Sequence, residues 1–387
     1  MEDVINIEEN YELWVDQWID VPLSEFGSGN LASVMNRPHG ISLIVTSARS
    51  EFASTIKPVI GSLAAGNCTI LLPRYRSQGG RSELNKILLE VLEASLSPER
   101  FGILSPSQNL DKLFETEQID FVFASCRKET CQTISKACYE HEISFIPHTR
   151  GWNVGIISDD AEVEEAADAL AQNKFYKSGQ DGECLDVIYV HESVYDEFLI
   201  ALKNSIFYYY GGKKGKEEMT YGKIYDNLNF EKIFERLEKP DHKGKLETSI
   251  FQNEKNLQIN PIILKNPDIN SSLMNEKLLG PILPIRTYSR IEETVNEINH
   301  HMDIQKTFFF GKNPLLFNFV RDSIRFQEIF FNSNNSPLRN MYMPQHGYFH
   351  TFNCMLNGVN SFYTFSKQRM LFIGLEPKDN LRKGNLL

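Results

Sequence analysis

Two side chains in this chain are candidates for nucleophilic or acid–base chemistry, the thiol of Cys184 and the imidazole of His148. A thiolate is a strong nucleophile, but the neighbouring carboxylate of Glu183 should raise the pKa of this thiol. Cys184 can equally be a small buried residue that precedes the apolar run DVIYV. His148 can act as a base near neutral pH, or it can form a structural hydrogen bond at the end of a strand. Neither residue alone establishes an active site.

The segment around Cys184 has a distinctive frame, in which Gly179-Gln180 precedes an apolar strand and the helix start YDEF. Four other segments carry ordered motifs: residues 37–40 (RPHG, before ISLIV), 58–72 (PVIGSLAAGNCTILL), 279–284 (LGPILP) and 360–366 (NSFYTFS). In this order, the five segments resemble the aldehyde dehydrogenase superfamily. The last one is similar to the class 3, fatty-aldehyde branch of that superfamily. The chain would then be an N-terminally shortened member, because residues 14–22 resemble a segment that normally follows several helices.

The resemblance also implies that the catalytic residues are changed. In the family, a reactive cysteine two residues after the Gly-Gln pair attacks the aldehyde, and the adduct then gives hydride to a nicotinamide. The matching residue here is Gly182, which has no side chain. The family's oxyanion-binding asparagine aligns with Arg49, and its general-base glutamate aligns with His148. We expect these three positions to be degenerate.

Cys184 is the alternative nucleophile, since in an extended segment its side chain would point to the same face as Gly182. Two residues of extended chain move the sulfur by about 6 to 7 Å. An error near 1 Å in an active site can already cost ~100-fold in rate. Cys184 is therefore a weak candidate.

The positions that bind the cofactor in the family are changed independently. The lysine and glutamate that hold the adenosine ribose align with Leu72 and Tyr75. Two glycines of the phosphate-binding turn align with Cys126 and Cys131, although glycine is what lets the backbone approach a phosphate closely. The glutamate that holds the nicotinamide ribose aligns with Lys277. We expect no cofactor, with NAD or NADP as the one that the resemblance would imply.

Composition excludes several classes of function. The net charge of −11 argues against a nucleic-acid partner, which needs a basic face. No apolar run approaches the 18 residues of a membrane-spanning helix. The six cysteines show neither Cys-x-x-Cys pairs nor histidines at zinc-finger spacing, so we expect no metal. The acidic N-terminus lacks the features of a signal peptide, so we expect a cytoplasmic protein.

Short apolar runs alternate with amphipathic stretches along the chain, a pattern that predicts an α/β fold with mostly parallel sheets. By resemblance, the architecture would be aldehyde dehydrogenase-like, with a Rossmann-type cofactor domain, an α/β catalytic-type domain and a small oligomerisation arm. The predicted division is an N-terminal arm at 1–36, a degenerate dinucleotide-binding domain at 37–150, a catalytic-type domain at 151–335 and an oligomerisation segment at 336–387.

These changes together favour a pseudoenzyme that acts through binding or oligomerisation. Its expected partner is a second copy of itself or an active relative, because residues 361–366 align with the family's oligomerisation strand. The alternative is a divergent NAD(P)-dependent oxidoreductase that acts on aldehydes with Cys184 as a displaced nucleophile. A third hypothesis is that the cleft that holds the family's active site binds a different ligand here, either an acyl chain or an anion attracted to Arg49 and Arg150.

Overall fold

The computed structural model describes residue 12 and the ranges 24–26, 30–46, 53–73, 83–105, 107–116, 118–210, 222–225, 227–250, 252–277, 279–301, 303–334, 345–346, 355–356 and 359–373. The chain divides into two compact units, one of Met1–Thr149 with Asn340–Leu387 and one of Arg150–Arg339. The four-part division made from the sequence stays a prediction.

The α-helices of the described residues are α1 (Ala53–Ala64), α2 (Glu83–Ser95), α3 (Leu110–Thr116), α4 (Lys128–Glu140), α5 (Val163–Phe175), α6 (Tyr195–Tyr210), α7 (Asn227–Glu238), α8 (Ser272–Asn275), α9 (Ile291–His301), α10 (Pro314–Ser323) and α11 (Val359–Thr364). The strands are β1 (Ser24–Phe26), β2 (Asn30–Pro38), β3 (Ile41–Thr46), β4 (Cys68–Pro73), β5 (Phe101–Ile103), β6 (Phe121–Ser125), β7 (Ser144–His148), β8 (Trp152–Ile157), β9 (Val187–His191), β10 (Lys245–Leu246), β11 (Gln252–Asn253), β12 (Gln258–Ile259), β13 (Ile262–Lys265), β14 (Ile282–Tyr288), β15 (Ile304–Phe310), β16 (Glu328–Phe331), β17 (Gln345–His346), β18 (Met355–Leu356) and β19 (Ser366–Ile373).

The first unit is built on a five-stranded parallel sheet with the order β5-β4-β3-β6-β7. Successive side chains of β3 alternate between two cores, since Ile44 packs in one and Leu43 and Val45 pack in the other. This is why the strand reads as a continuous apolar run, as parallel strands that are covered on both faces do. The same unit holds an antiparallel sheet with the order β1-β2-β19 and the pair β17-β18.

The second unit is built on a seven-stranded sheet with the order β10-β13-β14-β9-β8-β15-β16, which is parallel except for the edge strand β10. A separate antiparallel pair, β11-β12, falls between β10 and β13 along the chain. Ile156 and Phe309 face one core of the sheet, and Ile157 and Phe308 face the other. These two parallel sheets confirm the predicted α/β fold. Among the described residues, no helix combines the length and the apolar character needed to cross a bilayer.

Candidate functional site

The Gly-Gln loop, residues 176–186, connects α5 to β9 in the second unit. Lys177, Ser178 and Gly179 all have left-handed backbone angles, with φ of 50°, 58° and 69°. A Cβ on Gly179 would collide with the backbone carbonyl of Gly280, so only glycine suits this position. Ordinary residues in this conformation cost about 1–2 kcal/mol each, so surrounding contacts must hold the loop.

Side chains of the loop supply part of that hold. The Ser178 hydroxyl donates to the carbonyl of Gly222 at 2.6 Å. The Gln180 amide donates to the carbonyl of Lys223 at 2.9 Å and accepts from the backbone N–H of Tyr225 at 2.7 Å. The Gly-Gln pair therefore fixes the loop against the segment that precedes α7.

Gly182 lies in the middle of this loop, and the space beside its Cα is taken by another side chain. A Cβ built on Gly182 would overlap the Cδ, Nε and Cζ atoms of Arg150. Arg150 itself is exposed and follows β7 in the sequence. The volume that a nucleophilic side chain would need at position 182 is thus filled by the outer half of an arginine.

The carbonyl of Gly182 is held from two sides. The Asn153 amide donates to this carbonyl at 3.1 Å and to the carbonyl of Cys184 at 2.8 Å. The Lys277 ammonium donates to the same carbonyl at 3.3 Å and to the carbonyl of Gly151 at 2.6 Å. Lys277 also forms an ion pair with the buried carboxylate of Asp186 at 2.8 Å. With these contacts, the Lys277 ammonium stabilises the backbone of the Gly-Gln loop.

A buried ion triad anchors the next residue, Glu183. Lys306 is fully buried on β15, and its ammonium contacts the carboxylates of Glu183 and Glu328, the latter at 2.7 Å. Burial raises the pKa of Glu183, but the Coulombic attraction and hydrogen bond of Lys306 outweigh it and lower that pKa to about 2. The same two carboxylates raise the pKa of Lys306 against the opposing effect of its burial.

Cys184 does not have the surroundings of a reactive thiol. Its side chain is 4% exposed, and its Sγ donates to the carbonyl of Tyr176 at 3.7 Å. Burial and the nearby carboxylates of Asp181 and Asp186 raise the pKa of the thiol to about 12. This geometry fits the interpretation of Cys184 as a small buried residue, so nothing in it favours the displaced nucleophile.

Lys174, at the end of α5, is a second buried lysine near this loop, with 2% of its surface exposed. Burial lowers the pKa of its ammonium, and the carboxylate of Asp186 opposes that effect. The carboxylate of Asp186 thus forms an ion pair with Lys277 and also stabilises the charged form of Lys174.

The sequence did not predict the contacts that four residues make around this loop, namely Arg150, Asn153, Asp186 and Lys306. One signal for Lys306 was available, because a lysine inside the apolar strand IQKTFFF must be buried with counter-ions. Its partners could not be identified, since Glu183 and Glu328 lie far from it along the chain.

The first unit holds the remaining described site positions. His148 lies at the end of β7, opposite Ser125 on β6, and its Nδ1 is 3.2 Å from the Ser125 hydroxyl. Leu72 is fully buried in the core on β4. Cys126 and Cys131 lie at the turn into α4 with their Sγ atoms 3.0 Å apart. Arg49 and Tyr75 lie outside the described residues.

The structure therefore brings Gly182, Cys184 and Lys277 together in the second unit, with Lys277 donating to the carbonyl of Gly182. Leu72, Cys126, Cys131 and His148 belong to the first unit. The described residues contain no group of three or more His, Cys, Asp or Glu side chains that could hold a metal ion.

Comparison with known proteins gives one family model, the aldehyde dehydrogenase family, which matches residues 3–370. The 4,4'-diaponeurosporen-aldehyde dehydrogenase of Staphylococcus aureus is 24% identical over 351 residues, which cover 91% of this chain and 74% of that protein. The dimeric, NADP-preferring aldehyde dehydrogenase of Canis lupus familiaris is 25% identical over 282 residues, which cover 72% of this chain and 60% of that protein.

Solved structures agree on the fold. The substrate-bound Staphylococcus aureus AldH superposes with a TM-score of 0.85 at 19% identity, over 96% of this chain and 81% of that one. Lactaldehyde dehydrogenase from Escherichia coli gives a TM-score of 0.82 at 15% identity, over 95% and 78% of the two chains. Likeness at this level of identity shows the shared fold alone.

Proposed function

Because the chain belongs to the aldehyde dehydrogenase family, we propose that it is a pseudoenzyme of that family. It acts through binding or oligomerisation and does not oxidise aldehydes with NAD or NADP. The observation that carries this proposal is the pair Gly182 and Arg150. The family's nucleophile position has no side chain, and the guanidinium of Arg150 fills the space where one would stand.

The loop around Gly182 supports the proposal because its polar groups hold the backbone. Asn153 and Lys277 both donate to the Gly182 carbonyl, and Lys306 holds Glu183. A catalytic loop would instead direct donors at a developing oxyanion. Asn153, Lys277 and Lys306 instead stabilise the backbone of a loop that has no nucleophilic side chain at position 182.

The described residues at the family's dinucleotide positions do not fit NAD or NADP. Leu72 is fully buried in the apolar core, and its side chain offers no donor to a ribose. Lys277 carries the opposite charge to the family's glutamate and is already paired with Asp186. Two cysteine side chains stand where the family's phosphate-binding turn has glycines, and their sulfurs contact each other. No step of the proposed function uses a nicotinamide cofactor.

Calorimetric titration of the folded protein with NAD and NADP tests this part of the proposal. The dinucleotide concentration should reach several millimolar, so that weak binding is also detected. The expected result is no saturable heat. Saturable 1:1 binding of either dinucleotide would contradict it. Circular dichroism of the same sample shows that the protein is folded.

Residues 361–366 were expected to be the oligomerisation strand, but residues 359–364 form the helix α11, because Phe362 packs into the core of the first unit. We further propose that the chain forms a homodimer or pairs with an active relative through β19, the strand that follows this helix. This strand is at the edge of the sheet β1-β2-β19 and pairs only with β2 among the described residues. Met370 and Phe372 on it are 74% and 69% exposed. An open edge with exposed apolar side chains can be extended by a strand of a second chain.

Sedimentation velocity at micromolar concentration tests the dimer. We expect a dimer for the natural sequence and a monomer for Met370→Lys/Phe372→Lys, whose folding should be intact because both side chains are exposed. Ile200→Lys, at an exposed position on α6, is the matched control and should leave the dimer unchanged. A natural protein that is monomeric both alone and with an active relative would overturn the proposal.

We also propose a cytoplasmic location. Cys131, Cys138 and Cys184 are buried and serve as small apolar side chains, a use of cysteine that suits a reducing compartment. Fractionation of cells that express the tagged protein tests this location, and recovery in a membrane or secreted fraction would contradict it.

A further inference from the structure

The turn between β6 and α4 places two sulfur atoms side by side. The Sγ atoms of Cys126 and Cys131 are 3.0 Å apart, and both residues are thiols. A disulfide bond is about 2.05 Å long, so the sulfurs need to approach by only about 1 Å to form one. The thiol of Cys131 also lies 3.4 Å from the carbonyl of Ala124, which keeps the sulfur next to the end of β6.

We propose that Cys126 and Cys131 form a reversible disulfide, and that this turn is a modification site for small anionic disulfides of the glutathione type. The proposal is independent of the pseudoenzyme proposal, because it needs only these two thiols and their surroundings. Disulfides in reducing compartments are mostly transient and redox-responsive.

The two cysteines differ in access to solvent. Cys131 is fully buried in the first turn of α4, whereas Cys126 is part-exposed at the end of β6. Arg127 and Lys128 follow Cys126 and are exposed, so they can attract the carboxylates of a glutathione disulfide. Cys126 is therefore the thiol that an oxidant meets first, and Cys131 is the thiol that resolves the adduct.

The reaction is a pair of thiol–disulfide exchanges. The Cys126 thiolate attacks one sulfur of oxidised glutathione, which forms a mixed disulfide and releases one glutathione thiolate. The Cys131 thiolate then attacks the Cys126 sulfur, forms the intrachain disulfide and releases the second glutathione. Two protein thiols are oxidised while one small disulfide is reduced to two thiols, so the electrons balance. The two thiol protons pass to the released glutathione molecules.

The other described cysteines lack this combination. Burial raises the pKa of Cys138 to about 12, and burial with nearby carboxylates does the same for Cys184, so these thiols are protected from exchange. Cys68 is exposed, but its sulfur has no contact with a second sulfur among the described residues. Cys68 should therefore accept glutathione without forming an intrachain bond.

The disulfide would join the carboxyl end of β6 to the first turn of α4. This turn aligns with the family's phosphate-binding turn, where glycines let the backbone approach a ligand. A covalent bond across it would fix the turn in one conformation, and reduction would release it. Cys126 and Cys131, which stand in place of the glycines of the family's phosphate-binding turn, thus form a redox-responsive site.

Mass spectrometry of the full chain after treatment with oxidised glutathione tests the proposal. Trypsin cleaves after Arg127 and Lys128, so Cys126 falls in the peptide 113–127 and Cys131 in the peptide 129–136. We expect these two peptides to be joined by a disulfide in most molecules, and to separate again with reduced glutathione. Cys68 should carry glutathione in the same sample, which shows that the oxidant was active.

Two variants sharpen the test. Cys131→Ser should accumulate glutathione on Cys126, because no second thiol is present to resolve the adduct. Cys126→Ser should leave Cys131 unmodified, since the buried thiol is not reached. Absence of the joined peptides in the natural protein while Cys68 is modified would overturn the proposal. Modification of Cys131 in Cys126→Ser at the rate of the natural protein would overturn the assigned order of attack.

Discussion

Two segments of this chain, the turn at residues 58–72 and the Gly-Gln loop at residues 176–186, show different fates within one family fold. In the turn, Asn67 belongs to the Ala-Ala-Gly-Asn motif of the family resemblance. Its side chain accepts from the N–H of Gly40 at a part-buried site and donates to the carbonyls of Ser62 and Phe365 at buried ones. At the loop, Gly182 and Lys277 stand where the resemblance places the family's cysteine and glutamate, and Lys277 donates to the carbonyls of Gly151 and Gly182. The proposed function accounts for this contrast, because it requires that residues supporting the backbone are kept while residues serving the chemistry are replaced.

The largest expected effect concerns the buried ion triad of the loop. Lys306→Met leaves the carboxylates of Glu183 and Glu328 close together without their cation. Removal of one partner from a buried ion pair typically costs 3–5 kcal/mol, so we expect a loss of about 4 kcal/mol in the free energy of unfolding by urea.

Lys312→Met is the matched control, because Lys312 also pairs with a glutamate, Glu162, but at an exposed site. It should leave the unfolding curve unchanged. If the two lysine variants behaved alike, the triad would not hold the loop.

The retained turn gives the next effect. Asn67→Ala leaves the N–H of Gly40 and two buried carbonyls without this partner, which should cost roughly 3 kcal/mol in the free energy of unfolding. Asn296→Ala, at an exposed position on α9, should change stability by less than about 0.5 kcal/mol. A loss for Asn67→Ala as small as that of the control would remove the contrast between turn and loop.

The pH dependence of stability follows from Glu183. Its pKa in the folded chain is about 2, below the ordinary value of 4.5, so its contribution is present above pH 4.5 and is lost as the pH falls towards 2. Between about pH 5 and about pH 3, the natural protein should lose stability more steeply than Glu183→Gln, by on the order of 2 kcal/mol. Urea unfolding of both proteins at the two pH values measures this difference. Equal slopes would show that Lys306 does not stabilise the ionised form of Glu183.

The smallest expected effect tests whether Arg150 fills the space beside Gly182. Gly182→Ala should destabilise the chain by about 1 kcal/mol, because the new methyl group must displace an exposed and movable side chain. The same substitution in an Arg150→Ala background should cost almost nothing, so a double-mutant cycle should show coupling. Independent effects of the two substitutions would place Arg150 elsewhere.

The sequence predicted the fold well because its signals are local. The apolar run of β3 and the turn at Gly66-Asn67 each determine structure through neighbours in the sequence. The absence of a side chain at Gly182 was also readable, and the assignment of Gly182 to the family's nucleophile position stays a prediction. The contacts that hold the loop were not readable, because Lys306 meets Glu183, and Lys277 meets Asp186, only after the sheet of the second unit has formed. The proximity of Cys126 and Cys131 was likewise missed, since a spacing of five residues across a strand end and a helix start does not specify a sulfur contact.

The central claim is that this chain does not turn over aldehydes with a nicotinamide cofactor. Its most direct test is aldehyde-dependent formation of NADH or NADPH by the purified protein, with short and long aliphatic and aromatic aldehydes and with an active family member as positive control. We predict no formation above the rate of a sample without protein, and the same result for Cys184→Ala. Turnover by the natural protein that disappears in Cys184→Ala would contradict the account and establish Cys184 as a displaced nucleophile.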